Sequence, residues 1–98
     1  MTRAKVNDMV RDSETYDTLH CGRSTTAGVH ALANIGARIW QVILQADPDN
    51  AASVFVGNAA QQYFELTPGA ALTIPIDSTN KVYVNITAGD AVNWLAMG

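Results

Sequence analysis

The sequence contains few of the residues on which most chemical sites depend. Cys21 is the single cysteine among 98 residues, which excludes an intrachain disulfide and a cysteine-rich zinc site. No apolar run approaches the roughly 20 residues that span a bilayer, and the polar N-terminus lacks the apolar segment of a secretory signal. We therefore expect a chain that is made in a reducing cytoplasm and has no membrane partner.

Charge is also scarce. Charged residues make up 15% of the chain, whereas a typical soluble domain has about 25%. Six basic and nine acidic side chains give a formal net charge of −3. Proteins that bind nucleic acid or dock on anionic membranes carry a basic surface, so this balance argues against both as partners. The chain has the length of one domain with one core.

No motif predicts a catalytic, metal or cofactor site, and an enzyme is the class that the sequence favours least. It has no phosphate-binding glycine loop and no G-x-G-x-x-G. His20, Cys21 and His30 are too few for a structural zinc site within one chain, although subunits could share one. A Cys–His nucleophile pair among them would lack an orienting group. Residues 47–50, Asp-Pro-Asp-Asn, lack the later glutamate of a calcium loop and fit a type I turn.

The N-terminal part of the chain differs from the rest in composition. Eight of the fifteen charged residues fall within residues 1–23, and their charges sum to zero. The segment has too few large apolar groups for a core of its own, so we expect an arm over residues 1–28, extended or with a short helix. We further expect that a partner, rather than its own domain, orders this arm, with residues 1–25 as the attachment device. The expected apolar anchors are Val6, Met9, Val10, Tyr16 and Leu19.

Beyond the arm, short apolar runs alternate with turn residues. The runs are rich in β-branched and aromatic residues, and Pro, Gly, Asn and Asp separate them, which is typical of an all-β domain. Each run has one apolar face, so the strands must pack in two layers or close into a barrel. We predict an antiparallel β-sandwich of six to seven strands over residues 29–98.

Strand alternation divides the apolar residues between two faces. The inward face is predicted to bury Trp94 near Val42, Ile74 and Val84, and it also includes Trp40 and Phe64. The outward face carries Ile39, Ile43, Phe55, Tyr63, Tyr83, Leu95 and Met97.

Scattered apolar residues are normal on a surface, and the arm could cover some of those on the outward face. Aromatic enrichment with little charge is nevertheless typical of an interface. We therefore predict that Phe55, Tyr63 and Tyr83 contact a partner.

The strands and turns follow a recurring order from residue 38 to residue 96. Apolar strand segments end in short proline- or glycine-containing turns, and the final turn ends in Gly-Asp. The segments are Val42-Ile43-Leu44-Gln45-Ala46-Asp47-Pro48, Val54-Phe55-Val56-Gly57, Leu66-Thr67-Pro68-Gly69, Leu72-Thr73-Ile74-Pro75-Ile76, Lys81-Val82-Tyr83-Val84 and Ala88-Gly89-Asp90.

This order resembles small β-sandwich proteins and domains of tailed-bacteriophage virions. The resemblance implies a structural component of the particle: a capsid decoration (cement) protein, a neck or tail component, or the base of a fibre. Our first hypothesis is a capsid decoration protein on the capsid surface, made in the host cytoplasm. Its partners would be the major capsid protein or another virion protein and further copies of itself, with a trimer favoured.

Two alternatives stay open. One is a tail, neck or fibre-base module of the same particle. The other is a carbohydrate- or receptor-binding β-sandwich, with Trp40, Trp94, Tyr63 and Tyr83 as stacking residues.

Overall fold

The computed structural model describes residues 19–98, which form eight β-strands and one short 3₁₀ turn. The elements are β1 (Leu19–Ser24), β2 (Gly28–Ala31), β3 (Gln41–Ala46), β4 (Val54–Gly57), β5 (Phe64–Leu66), β6 (Ala71–Ile74), the 3₁₀ turn (Thr79–Lys81), β7 (Tyr83–Ile86) and β8 (Val92–Met97).

The strands form two four-stranded antiparallel sheets. Sheet I has the order β1-β8-β3-β6 and sheet II the order β2-β7-β4-β5. Side chains of both sheets meet in one apolar cluster, which includes Val42 and Leu44 from sheet I and Val54 and Val84 from sheet II. Each fully buried side chain of this kind contributes about 1.5–3 kcal/mol. The predicted all-β class with two packed antiparallel layers is confirmed.

Strand alternation predicts the core correctly where the strands are regular. Every second residue is buried along β3 and β8. Trp94 is 7% exposed, Val42 and Val84 are fully buried, and Ile74 packs against the same cluster from a partly buried position. The predicted burial of Trp94 between the layers is confirmed.

Alternation fails at the residues before β3. Trp40 was predicted to point inward and Ile39 outward, but Trp40 is 44% exposed and Ile39 is buried. The chain bends at Trp40 and β3 begins only at Gln41. The inward–outward alternation of β3 therefore does not continue back through Trp40. As a result Ile39 is buried and Trp40 is exposed, the reverse of the prediction.

Phe64 is a second correction to the predicted core. It pairs with buried Val56 and so has inward parity, yet it is 55% exposed. Phe64 begins β5, which is a three-residue strand at the edge of sheet II. A side chain that points inward at the start of such a short edge strand can therefore remain exposed.

Strand β1 lies inside the range that the sequence assigned to the arm. Its six residues pair with β8 from Leu19↔Met97 to Ser24↔Val92, which adds an eighth strand to the six or seven expected. The inward positions of β1 are His20, Gly22 and Ser24, so the strand has no apolar alternation for sequence reading to detect. The arm residues before Leu19 lie outside the described part of the chain.

Side-chain hydrogen bonds join two loops at one end of the sandwich. The buried carboxylate of Asp90 accepts from the backbone N–H groups of Ala51 and Ala52 at 2.9 and 3.0 Å. The amide of Asn50 donates to the carbonyl of Ala91 and accepts from its N–H, both at 2.8 Å. The loop from β3 to β4 is thus tied to the loop from β7 to β8.

The turn predicted at residues 47–50 is present. The N–H of Asn50 donates to the carbonyl of Asp47 at 3.0 Å, and the N–H of Asp49 donates to the Asp47 carboxylate at 2.9 Å. Within residues 19–98, no helix is both long and apolar enough to cross a membrane.

Candidate contact surface

The outer face of sheet II carries two of the predicted contact residues as neighbours. Phe55 on β4 lies opposite Asn85 on β7, and Tyr83 lies opposite Gly57. Phe55 and Tyr83 are therefore diagonal neighbours on one face, a spacing of about 7–8 Å that aromatic side chains can bridge. Phe55 is 36% exposed and Tyr83 is half-buried. Their predicted outward direction is confirmed.

A tight loop connects β4 to Tyr63, the residue directly before β5. Within the loop, the Asn58 side chain accepts hydrogen bonds from the N–H groups of Ala60 and Gln61 at 2.9 and 2.8 Å. A Cβ atom built on Gly57 would collide with the backbone of Gln61, so the loop packs against the sheet at a position that only glycine allows. Tyr63 follows the loop and is 79% exposed.

We name Phe55, Tyr63 and Tyr83 together the aromatic face. It has one charged neighbour on the adjoining strand: Glu65 lies opposite Phe55, and its carboxylate accepts a hydrogen bond from Ser53 at 2.6 Å. On the other side, the exposed Val29 of β2 lies opposite Asn85 and so continues the row of Phe55 across the sheet. Apart from Glu65, the residues named on this face are uncharged, which is the composition typical of an interface core.

The outer face of sheet I also contains an apolar group. The register places Cys21, Leu95 and Ile43 in one row across β1, β8 and β3, with Leu19 and Met97 in the next row. Leu19 is the one predicted arm anchor that the structure describes, and it is exposed. A shallow depression of about 270 Å³ lies beside this group, between Ile43, Leu95 and Ala71.

A polar row borders the apolar group of sheet I. Arg23 forms an ion pair with Asp47 at 2.8 Å and contacts the Asn93 side chain at 3.3 Å. The N–H of Asp49 contributes most to holding the pKa of Asp47 below its usual value of 3.8, followed by the Asn93 amide, which donates to Asp47 at 3.2 Å. The charge of Arg23 and its hydrogen bond each lower the same pKa to a smaller extent, and partial desolvation of the carboxylate raises it.

A second ion pair lies in the loop before β7. Lys81 Nζ is 2.8 Å from Asp77 Oδ1, and this hydrogen bond is the main reason that the pKa of Asp77 lies below 3.8. Both side chains are exposed, and exposed pairs of this kind add little stability.

The structure separates the predicted site residues into three groups. It places Phe55 and Tyr83 in sheet II, Tyr63 directly before β5 of that sheet, and Leu19 in the opposite sheet. The other predicted anchors, Val6, Met9, Val10 and Tyr16, lie outside the described residues.

The residues considered as metal ligands do not come together. His20 and Cys21 are adjacent on β1 and so point to opposite faces of sheet I, whereas His30 lies on β2. Residues 19–98 contain no group of three His, Cys, Asp or Glu side chains that could hold a metal ion.

Sequence reasoning missed one pair of functional groups. The hydroxyl of Ser24 and the ring of His30 form a hydrogen bond across the opening between the sheets. The short spacing of a serine and a histidine around a glycine was the available signal. Comparison of the chain with protein-family models and with curated proteins finds no match.

Proposed function

We propose that this protein is a structural component of a tailed-bacteriophage virion, and specifically a capsid decoration protein that stabilises the assembled shell by binding. The observation that carries the proposal is the aromatic face: Phe55 and Tyr83 lie together on sheet II, and Tyr63, which directly precedes β5 of the same sheet, is 79% exposed. Exposed aromatic residues with few charges are the composition of interface cores. The order of strands and turns supports the virion assignment by resemblance.

The partner we propose for the aromatic face is the major capsid protein, or another virion protein at the same surface. The arm, residues 1–25, supplies further anchors for this attachment: Leu19 lies on sheet I, and Val6, Met9, Val10 and Tyr16 precede the described residues. We also propose self-association of the protein, with a trimer as the assembly to test first. Sedimentation of the purified protein measures this directly.

The experiment for the proposed function is decoration of particles that lack the protein. Purified protein is added to such particles, and binding is measured by co-sedimentation and located by electron microscopy. A Phe55→Ser, Tyr83→Ser variant is expected to bind at least about tenfold more weakly, because central aromatic contacts each contribute more than about 1 kcal/mol. Density on the capsid surface supports decoration, whereas density confined to the neck, tail or fibre base supports the alternative module.

Ile43→Ser is the matched control, because it makes the same apolar-to-polar change on the opposite sheet. It is expected to bind as the unchanged protein does. If Ile43→Ser binds weakly while the aromatic variant binds normally, the contact face is sheet I and our assignment is wrong. Both variants must retain the thermal transition of the parent protein for the comparison to count.

One observation favours the carbohydrate-binding alternative. Trp40 is 44% exposed and not inward as the sequence predicted, whereas Trp94 is 7% exposed, so Trp40 is the tryptophan that presents more surface to a sugar. Binding to a glycan array that is lost in Trp40→Ala and retained in Phe55→Ser would support this alternative and contradict the decoration role.

A further inference from the structure

A groove of about 410 Å³ opens between β1 and β2, where the edge of sheet I meets the edge of sheet II. Its walls include the indole of Trp94 and the side chains of Ser24, Thr25, Thr26 and His30. The groove is separate from the aromatic face, and nothing in the proposed attachment uses it. Arg23 also lines it, so the groove combines apolar, hydroxyl-bearing, imidazole-bearing and cationic residues.

The hydrogen bonds of His30 determine where its protons lie. Its Nδ1 is 3.2 Å from the carbonyl oxygen of Gly28. A carbonyl only accepts, so Nδ1 carries a hydrogen, and in the neutral ring Nε2 then has a free lone pair. The Oγ of Ser24 lies 2.6 Å from that Nε2. The serine hydroxyl therefore donates to His30, in the geometry of a nucleophile held against its general base.

The backbone fixes this pair in place. Ser24 ends β1, which pairs with β8, and His30 lies in β2, which pairs with β7. Gly28, which orients the imidazole, has a positive φ of 89°, a conformation that glycine adopts without strain. One sheet therefore positions each member of the pair. Both side chains are only partly buried, so the pair remains open to the groove.

We propose that Ser24 is an activated nucleophile and that the groove is a site of its covalent acylation by small activated esters. Ser24 Oγ forms a bond to the ester carbonyl carbon while His30 Nε2 takes the hydroxyl proton. The ester C–O bond then breaks, and the departing oxygen takes that proton from His30. The acyl group stays on Ser24, and its apolar part packs towards the indole of Trp94.

The first test uses diisopropyl fluorophosphate as a probe of the nucleophile. Reaction forms an O–P bond at Ser24 and breaks the P–F bond; fluoride leaves, and His30 takes the proton. Peptide mass spectrometry measures the rate at each serine of one sample. Ser53 is the internal control. Its hydroxyl also donates a hydrogen bond at 2.6 Å, but to the Glu65 carboxylate and not to an imidazole. We expect Ser24 to react about 10²-fold faster, the lower end of general-base catalysis.

Two histidine variants and a denatured sample test whether His30 itself, in the folded protein, causes the reactivity of Ser24. His30→Gln is expected to reduce the Ser24 rate to that of Ser53, whereas His20→Gln, the same change on the inward face of β1, is expected to leave it unaltered. Urea is expected to abolish the difference between the serines of the parent protein. Equal rates at Ser24 and Ser53 in the native protein, or an unaltered rate in His30→Gln, would overturn the proposal.

The acyl specificity is tested with 4-nitrophenyl acetate on the parent protein. Peptide mapping is expected to find acetyl on Ser24 well before it appears on Ser53. Acetylation of the two serines at the same rate would show that the groove does not take activated esters.

Discussion

Gly22 of β1 lies directly beneath the indole of Trp94 of β8. The two residues are opposite each other in the sheet, and a Cβ atom built on Gly22 would overlap the ring carbons of Trp94. The absence of a side chain at one position therefore makes room for the largest side chain of the core at the other.

We expect Gly22→Ala to destabilise the protein by about 1–3 kcal/mol, because an extra methyl group in a packed core forces its neighbours off their preferred geometry. Urea unfolding measures the change. Cys21→Ala is the matched control, since Cys21 is the next residue in β1 and is exposed on the other face; it should stay within about 0.5 kcal/mol of the parent. In a Trp94→Ala background, Gly22→Ala should lower the free energy of unfolding by less, because the effects of substitutions at contacting residues are not additive. An undiminished cost there would mean that the indole is not what excludes the methyl group.

Asp90→Ala should cost about 1–3 kcal/mol, because it leaves the N–H groups of Ala51 and Ala52 without their acceptors. Asp90→Asn retains one acceptor oxygen and should cost less. Thermal unfolding distinguishes the two. If Asp90→Ala melts as the parent does, the carboxylate does not hold the loops together.

Asp47 should make stability depend on pH in the acid range. Its pKa is lowered in the folded protein relative to 3.8, so its contribution is complete above that value and is lost as the pH falls through the folded pKa. Asp47→Asn should therefore be less stable than the parent at pH 7, and the difference should narrow below pH 3.8. Urea unfolding of both proteins at several pH values tests this, and a difference that stays constant into acid would contradict it.

Two truncations separate attachment from folding. A chain that begins at residue 19 retains every strand described above, so we expect it to unfold cooperatively and, if the arm anchors the protein, to decorate particles weakly. A chain that begins at residue 25 lacks β1, which exposes the pairing edge of β8 and the indole of Trp94, and we expect a lower melting temperature. Tight decoration by the first truncation would remove the arm from the proposed mechanism.

Sequence reading succeeded where apolar residues alternate along one continuous strand. Val42 and Leu44 of β3, and Trp94 of β8, follow that rule. It failed at Trp40, because a bend interrupts the alternation before the strand begins.

The sequence did not predict β1 because its inward position Gly22 has no side chain, and the indole of Trp94 from β8 fills that space. The strand therefore has no apolar residue at this position to mark it. The pairing of Ser24 with His30 was also missed: their short spacing in the sequence does not show that two sheet edges bring them together. The outward direction of Phe55 and Tyr83 was predicted from strand alternation alone, without knowledge of which residues lie beside them in sheet II.

The pairing of β1 with β8 also determines how the sandwich responds to mechanical load. Leu19 lies opposite Met97, so the start of β1 and the end of β8 lie at the same corner of sheet I. A force that pulls these two ends apart acts on the first pair of the ladder and then on each following pair in turn, as in opening a zipper. A force directed along β1 instead acts on all six pairs at once. A partner that grips the chain ahead of Leu19 would therefore hold the sandwich far more firmly when it pulls parallel to the strand than when it pulls across it.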